Sequence, residues 1–377
     1  MRPNLSRRDF LKLGGISLFG LAFRHSFQLQ GIAFERYASN FTSFDDSNIV
    51  RVATEDVLVR SAEPSDKSMS NFKWNRDDLV HVYNQVSGEV VNNNPIWYRV
   101  WGGYMHSGRL QPVENILQKP LDSIPDGARL LAEVTVPFTM PYRYSKSYSW
   151  QRLNEIYSRN PPLYYGSVHW IDAIQDGPDG TPWYRIFDEL EGPDVKYFVP
   201  AKYLRLVPSS AFEPISPDVP REQKKIEVNL TTQTLMAYEY GKVVFQTNIS
   251  SGIPGGGASG EKGLSTTTPD GKFEIVDKYP SKHMGYSYFS STTKGGSLAD
   301  SDGYVLPGVP WTSFFTEVGH AFHGTYWHQN FGAPMSHGCI NMRTNEANWI
   351  FRWTLPPFTS SAISNHTTRG TPVEVHY

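Results

Sequence analysis

The sequence predicts a mainly β protein built from several small domains. Short apolar runs that alternate with polar residues recur after residue 50, and glycine-, proline- and asparagine-containing turns separate them, as in half-buried strands. A Trp-Tyr-Arg-aliphatic block occurs twice, at 97–100 and 183–186, which indicates two related strand-rich units. Helical periodicity is scarce. Its clearest instance begins at Thr344 as a helix N-cap and stops at Pro356.

The composition excludes several classes of protein. Aromatic residues make up 14% of the 377 residues, which is too many for a disordered chain, because such chains lack the apolar area to fold. The 35 basic and 37 acidic side chains leave a formal charge of −2, whereas nucleic-acid-binding proteins normally carry a basic excess. The single cysteine, Cys339, excludes an intramolecular disulfide and a multi-cysteine zinc site.

Residues 1–30 are predicted to form an export signal. Two adjacent arginines, Arg7 and Arg8, precede an apolar run from Leu13 to Phe23. A basic start before a short apolar stretch is typical of a signal sequence, and the run is about half of the ~20 residues that span a bilayer. The paired arginines resemble the twin-arginine export signal. We therefore expect the protein outside the cytoplasmic membrane, in the cell wall or periplasm, with retention of this segment as a membrane tether left open.

The two strand-rich units are predicted at 48–115 and 125–208. Their strand order and their Trp-Tyr-Arg blocks resemble bacterial SH3-like modules, which often lie beside cell-wall enzymes. The resemblance implies two small β-barrels, in which Trp97 and Trp183 are expected to be core residues rather than ligand-stacking residues. A proline-rich linker is expected at 209–221.

A further domain is predicted at 222–377. Alternating runs between residues 226 and 250 predict a β-meander, and the alternating run at 371–377 is expected to join the same sheet. The long aromatic segment 278–317, which contains Tyr304, is interpreted as a lid over a substrate groove, with a structural core as the alternative.

The chemistry-bearing stretch is Ser-His-Gly-Cys-Ile-Asn at 336–341, with His323 and Gly324 upstream. An ordinary thiol with a pKa near ~8.5 is mostly protonated at neutral pH, and a neighbouring imidazole can accept its proton and form an ion pair with the thiolate. His323 lies on a candidate strand that ends at Gly324, so it is a plausible base if the two segments are neighbours in a sheet. Glycine at 338 allows a close backbone approach and can leave N–H groups free for an oxyanion.

These residues resemble the signature of the L,D-transpeptidases (the YkuD-type catalytic domain). The Thr-Pro-Asp-Gly turn at 268–271 and the first strand pair also resemble the family. The resemblance covers about 222–377 and implies an L,D-transpeptidase-type β-sandwich. It assigns Cys339 as the nucleophile and His323 as the general base and later acid.

The resemblance also implies roles for the neighbouring residues. His337 would shape the loop near the thiolate, Ser336 and Asn341 would hold the turn, and the N–H groups of Gly338 and Cys339 would face the oxyanion. We further expect Gly324, Asn341, Arg343 and Tyr304 to lie along the substrate, with Arg343 binding a carboxylate. A local ion pair is an equally good interpretation of Arg343. His320, three residues from His323, would face the other side of a strand and is interpreted as structural.

The implied reaction is a two-step acyl transfer without cofactor or metal. Cys339 would attack the carbonyl of the third residue of a peptidoglycan tetrapeptide stem, releasing D-alanine, and an amine of a neighbouring stem would then form a 3→3 cross-link. Attack by water would make the protein an L,D-carboxypeptidase. The family's acylation by carbapenems would take place on Cys339.

The sequence admits three other interpretations. A papain-like cell-wall endopeptidase places its cysteine before its histidine, whereas only His366 and His376 follow Cys339. A zinc enzyme would use ligands from among the histidines at 320, 323, 328 and 337 or the cysteine. However, His320 and His323 would face opposite sides of a strand, and no His-Glu-x-x-His helix is present. A non-catalytic wall-binding protein would hold glycan or peptide on its SH3-like units.

Overall fold

The computed structural model of the chain describes residues 48–147, 149–153, 162–188, 197–255, 258–259, 264–285, 305–358 and 362–377. The predicted export signal and Tyr304 lie outside these residues. Within the described ranges, 29 strands and one α-helix are found, so the mainly β prediction is confirmed. No helix in these ranges has the length and apolar character needed to cross a membrane.

The first strand-rich unit contains two sheets. Its strands are β1 (Ile49–Val52), β2 (Val57–Arg60), β3 (Ser70–Trp74), β4 (Leu79–His81), β5 (Asn84–Val91), β6 (Asn94–Val100), β7 (Gly103–His106) and β8 (Leu110–Val113). One sheet has the order β4-β1-β8 and the other β3-β2-β7-β6-β5. Trp97 is buried on β6 and donates to the Glu89 carbonyl at 2.9 Å, so it is a core residue as predicted.

The second unit is dominated by one seven-stranded sheet of order β12-β11-β16-β15-β14-β9-β17. Its strands are β9 (Leu130–Val134), β10 (Phe138–Thr139), β11 (Tyr142–Ser145), β12 (Ser149–Arg152), β13 (Leu163–Tyr164), β14 (Val168–Asp176), β15 (Pro182–Phe187), β16 (Tyr197–Pro200) and β17 (Leu204–Leu206). Trp183 is buried on β15, again as predicted. Both units are strand-rich, and their SH3-like assignment stays a prediction.

The segment 209–221 is not a solvated spacer. Phe212 is buried, and its ring lies 5.5 Å from that of Trp311 and 6.1 Å from that of Phe358. The N–H of Ile215 donates to the Arg352 carbonyl at 3.1 Å. The apolar residues between the prolines thus find partners in the C-terminal domain, so the segment is packed along its surface.

The C-terminal domain is a sandwich of two five-stranded sheets. Its strands are β18 (Lys224–Asn229), β19 (Thr234–Glu239), β20 (Lys242–Asn248), β21 (Ala258–Ser259), β22 (Leu264–Ser265), β23 (Gly271–Glu274), β24 (Asp277–Gly285), β25 (Val305–Phe314), β26 (Ala321–Gly324), β27 (Ile340–Met342), β28 (Asn365–His366) and β29 (Pro372–His376). The sheet orders are β20-β19-β18-β29-β23 and β27-β26-β25-β24-β28. The predicted meander and the return of the terminal strand are both present, since β29 pairs in parallel with β18.

The one α-helix that the structure gives in the described ranges, α1 (Thr344–Trp353), packs its apolar face into the main core of the domain. Ala347, Ile350 and Phe351 are buried, as the spacing predicts, whereas Arg343 rather than Thr344 occupies the N-cap position. Burial of this stripe supplies the helix stability that a ten-residue segment lacks by itself.

The described parts of the predicted lid are core strands. β24 and β25 form a long antiparallel pair, and Trp311 and Phe315 lie in the main apolar core. The core interpretation therefore holds for these residues, and the lid interpretation is wrong for them. Residues 286–304 lie outside the described ranges.

Arg51 joins all three parts of the chain. Its side chain is buried, it forms an ion pair with Asp77 at 2.8 Å, and Nε and NH2 both donate to the Gln111 oxygen. Its guanidinium lies 3.8 Å from the ring centroid of Tyr164 in the second unit, and NH2 donates to the Tyr326 carbonyl of the C-terminal domain at 3.4 Å. A buried arginine with these partners is costly to truncate, because each partner loses a charge-assisted hydrogen bond.

We expect Arg51→Gln to lower the free energy of unfolding by about 3 kcal/mol, because it leaves buried acceptors unpaired. Arg60→Gln is the matched control. Arg60 also pairs with an aspartate, Asp66, but that carboxylate is half exposed, so the loss should stay below about 1 kcal/mol. Denaturant unfolding followed by circular dichroism measures both. Equal losses in the two variants would contradict the importance of the Arg51 contacts.

Candidate active site

The lone cysteine lies immediately before β27 and is partly accessible to solvent. Its thiol donates to the Gly319 carbonyl across a sulfur–oxygen distance of 3.6 Å. Burial raises the pKa of the Cys339 thiol to about 11, with a smaller opposing effect of the Ala321 N–H. The cysteine is therefore a neutral thiol in the resting structure.

His323 lies on β26, the strand next to β27. The two strands pair in parallel, with His323 opposite Asn341. The predicted adjacency of the two motif segments is thus present. Nδ1 of His323 lies 3.0 Å from the Gly324 carbonyl, and because a carbonyl can only accept, Nδ1 carries the proton and Nε2 is a free base. Burial lowers the pKa of His323 to about 4, so this imidazole is neutral.

The resting ion pair expected from the sequence is not what the structure shows. The acceptor for the thiol of Cys339 is the Gly319 carbonyl rather than an imidazole, and burial favours the neutral forms of both the thiol and His323. Side chains alternate along β26 and β27, and Phe322, Ile340 and Met342 enter the core. His323 and Asn341 therefore lie on the opposite face of the sheet. Because Cys339 is two residues before Asn341, the same alternation places its side chain on that face.

Asn341 is buried and contacts His328, so its side chain is not exposed along a substrate groove as expected. Its side-chain amide lies 2.8 Å from Nε2 of His328, whose Nδ1 accepts the N–H of Asn330. Because Nδ1 accepts, Nε2 of the neutral ring is protonated, so the Asn341 oxygen is the atom expected to face it. The sequence pattern indicated His328 only as a possible zinc ligand. It did not predict the contact with Asn341, because only the fold brings His328 and Asn341 together.

Ser336 holds the turn before Cys339, as expected. Its hydroxyl donates to the Cys339 carbonyl at 2.5 Å and accepts the Gly338 N–H at 3.2 Å. The Gly338 N–H is therefore engaged in the resting structure. Among the described residues no acceptor is found for the N–H of Cys339, which leaves it as the available oxyanion donor.

Gly338 is required at its position for two reasons. Its φ is +114°, a conformation that side chains rarely adopt, and an added Cβ would lie 3.0 Å from the His320 ring. Its carbonyl accepts the hydroxyl of Thr268 at 2.8 Å, and that hydroxyl in turn accepts the Gly252 N–H. The Thr-Pro-Asp-Gly turn seen in the sequence thus supports the loop that carries Cys339.

His320 lies closer to the site than the sequence suggested. Its ring packs beside Gly338, and Nδ1 lies 3.0 Å from the Thr316 hydroxyl. The same ring lines an apolar cavity of about 420 Å³ together with Phe273 and Phe315. The interpretation of His320 as a structural residue did not include this position beside the loop that carries Cys339.

The remaining predicted site residues are placed as follows. His337 is exposed on the loop. Gly324 is buried where an added Cβ would lie 2.8 Å from Pro310, so it permits close packing. Arg343 is exposed and contacts Glu346 at 3.2 Å, which agrees with the ion-pair interpretation. No cluster of three or more His, Cys, Asp or Glu side chains suited to a metal ion occurs in the described part of the chain.

Alkylation of Cys339 should follow the high pKa of the buried thiol. With a pKa of about 11, the thiolate fraction at pH 7 is only ~10⁻⁴, so the rate with iodoacetamide should rise about tenfold per pH unit up to pH 9.5. Intact-mass analysis measures the rate, and the denatured protein is the internal control, because its rate should level off above pH ~8.5. A native plateau below pH 8 would instead indicate a resting thiolate–imidazolium pair.

Comparisons with known proteins agree with this arrangement. Residues 223–375 match the family model described as YkuD, the L,D-transpeptidase catalytic domain. A comparison with curated proteins found no match.

Similar solved structures include three L,D-transpeptidase chains. A mutant enzyme of Enterococcus faecium is 24% identical over 41% of this chain and 50% of that chain, with a TM-score of 0.29. The catalytic domain from E. faecium is 26% identical over 41% of this chain and 98% of its own, also with a TM-score of 0.29. An enzyme from Mycobacterium smegmatis is 19% identical over 52% and 90%, with a TM-score of 0.30.

The match spans about half the length of the longer E. faecium chain. The family model matches residues 223–375, which contain the paired strands β26 and β27, the lone cysteine and the neutral histidine. Residues 223–375 of this protein are therefore similar to the L,D-transpeptidase catalytic domain of the YkuD family.

Proposed function

We propose that the protein is a cysteine-dependent L,D-transpeptidase that forms 3→3 cross-links in peptidoglycan. The observation that carries the proposal is the parallel pairing of β26 with β27, which brings the segment of His323 beside that of the only cysteine. The match of residues 223–375 to the catalytic-domain model supports the same reaction class.

Acylation would begin from the neutral pair. As the sulfur of Cys339 bonds to the carbonyl carbon of the third stem residue, Nε2 of His323 accepts the thiol proton. The oxyanion of the tetrahedral intermediate is stabilised by the N–H of Cys339. When the carbon–nitrogen bond breaks, the imidazolium donates its proton to the amine of the departing D-alanine, and a thioester remains.

The second step would reverse these proton transfers. An amine of a neighbouring stem attacks the thioester carbonyl, neutral His323 removes a proton from that amine, and the thiol leaves with the proton. Attack by water instead would release a tripeptide acid, which is the carboxypeptidase reaction. The Gly324 carbonyl supports both steps, because it accepts the Nδ1 proton and thereby keeps Nε2 as the reacting nitrogen.

The substrate implies the compartment. Peptidoglycan lies outside the cytoplasmic membrane, so we propose that residues 1–30 export the protein and that this segment either is removed or remains as a tether. The two strand-rich units would then lie beside the wall together with the catalytic domain.

Cys339→Ala should abolish covalent modification by a carbapenem and by tetrapeptide stems. Intact-mass analysis should show one adduct on the unmodified protein and none on the variant. Product analysis with tetrapeptide stems then separates dimer formation from tripeptide release. Equal adducts on both proteins, or cross-linked product from the variant, would refute the role of the nucleophile.

His323→Ala should slow acylation by ~10²-fold or more, the usual contribution of a general base. His366→Ala is the matched control, because His366 is exposed and only pairs with Asp277. Stopped-flow fluorescence with a carbapenem gives both acylation rates, and circular dichroism checks the fold. An unchanged rate in a folded His323→Ala protein would remove this histidine from the role of base.

A further inference from the structure

The cavity of about 420 Å³ that His320 lines lies at the turn between β25 and β26. Apolar side chains form most of its wall, and they belong to Pro269, Phe273, Val276, Phe315 and Val318. Its volume lies within the ~300–1,000 Å³ of small-molecule sites. The wall suits an aliphatic chain, which gains free energy when it leaves water.

The cavity lies next to Cys339. Val318 and His320 line it, and the carbonyl of the residue between them, Gly319, lies 3.6 Å from the sulfur. The His320 ring also packs against Gly338, the residue before the cysteine. A ligand in this cavity would therefore lie beside the thioester that the proposed reaction forms.

Hydrogen bonds hold the turn that borders the cavity in one shape. The Phe315 N–H donates to the His320 carbonyl at 2.9 Å, and the Gly319 N–H donates to the Thr316 carbonyl at 3.3 Å. The Thr316 hydroxyl accepts the His320 N–H at 3.0 Å. These bonds close the turn and fix the backbone that carries Glu317.

Glu317 gives the cavity a negative charge that no neighbour neutralises. Its side chain is exposed, lines the cavity and has neither an ion pair nor a hydrogen bond among the described residues. Glu274 also lines the cavity, but its carboxylate pairs with Arg221 at 2.6 Å. Burial lowers the pKa of His320, so its ring is neutral and does not repel a cation. A negative charge beside an apolar wall is complementary to an alkylammonium group.

We propose that this cavity binds the amine-bearing side chain of the acceptor stem and that Glu317 selects for its positive charge. The alkyl part would pack on Phe273 and Phe315, and the ammonium would pair with the Glu317 carboxylate at the edge of the cavity. Loss of one proton to solvent then gives the free amine that attacks the thioester on Cys339.

This inference rests on the proposed function, which supplies the thioester and the acceptor amine. It adds a specificity residue for the second step alone. Because Glu317 takes no part in acylation, its removal should change the use of the acceptor and leave the formation of the thioester unchanged. The carboxylate is exposed and its attraction is screened by water, so the expected effect is modest, about fivefold.

The kinetic test uses the full chain and gives each substrate one role. A tetrapeptide stem with an acetylated side-chain amine serves only as the donor, and a tripeptide stem with lysine at its third position serves only as the acceptor. Mass spectrometry of the dimer gives the cross-linking rate against acceptor concentration. Glu317→Gln should raise the KM of the acceptor about fivefold, while the acylation rate with the donor alone stays the same.

Glu222→Gln is the matched control for the kinetic test. Glu222 is likewise exposed and has no ion pair among the described residues, but it does not line the cavity, so the KM of the acceptor should not change. Glu317→Lys should raise the KM more than Glu317→Gln does, because it replaces attraction with repulsion. Sodium chloride at about 0.5 M should reduce the difference between the unmodified protein and Glu317→Gln, because salt screens exposed charges.

A binding measurement isolates the charge of the ligand. Calorimetry on the full chain with Cys339→Ala compares the lysine tripeptide with a tripeptide that has norleucine at the third position. Norleucine has the same alkyl chain without the ammonium. The lysine peptide should bind about fivefold more tightly, and the additional substitution Glu317→Gln should make the two affinities equal.

Several outcomes would overturn the inference. These are equal affinities of the two tripeptides for the Cys339→Ala protein, no binding of either, and an unchanged KM of the acceptor in Glu317→Gln. A slower acylation by the donor in Glu317→Gln would overturn it as well, because the cavity would then belong to the donor stem.

Carbapenem acylation of the chain with Cys339 intact distinguishes failure of this inference from failure of the proposed function. Its absence would remove the proposed transpeptidase, and calorimetry alone would then decide whether the cavity prefers an ammonium. Acylation together with an unchanged KM of the acceptor in Glu317→Gln would leave the transpeptidase and remove only the role of Glu317.

Discussion

The candidate site depends on the parallel pairing of β26 with β27. A parallel pair cannot be joined by a tight turn and needs a connection of a dozen or more residues. The chain after His323 therefore has to return across the sheet before it reaches Cys339. Trp327 and His328, which lie on this connection, are close to the histidine, with the Trp327 ring 5.7 Å from the His323 ring. The same topology that brings the segments of His323 and Cys339 together thus also buries His323.

Burial determines the protonation states of Cys339 and His323. A low-dielectric surrounding penalises charge, and it shifts the pKa of Cys339 upwards and that of His323 downwards, so in the proposed reaction proton transfer accompanies attack on the carbonyl. The acceptor that orients the imidazole is the neutral Gly324 carbonyl rather than a carboxylate, which leaves the base weak in the resting state. A neutral thiol is also less easily oxidised, since oxidation follows thiolate character, and this favours a lone cysteine in the proposed extracytoplasmic location.

The sequence predicted the elements whose signals are local. The alternation at 226–250, the helix after Arg343 and the glycine before Cys339 all follow from residue patterns over a few positions. The packing of segment 209–221 was missed, because proline dominates that part of the sequence and the ring partners of Phe212 lie 99 and 146 positions away. His320 and His328 were missed for the same reason. His320 contacts Gly338 and His328 contacts Asn341, and only the fold brings these residues together. The pKa shifts of Cys339 and His323 likewise depend on burial, which residue spacing does not reveal.

The first strand-rich unit takes part in shaping the catalytic domain. Three backbone groups of the connection between β26 and β27 are bonded by that unit. The Tyr326 carbonyl accepts from Arg51 at 3.4 Å, the Gln329 N–H donates to the Gly108 carbonyl at 3.2 Å, and the Gly332 carbonyl accepts from Asn93 at 2.8 Å. Buried backbone groups without partners are costly, so the connection that covers His323 has its hydrogen bonds completed only in the presence of the first unit. The first unit therefore contributes hydrogen bonds to the connection that packs beside His323.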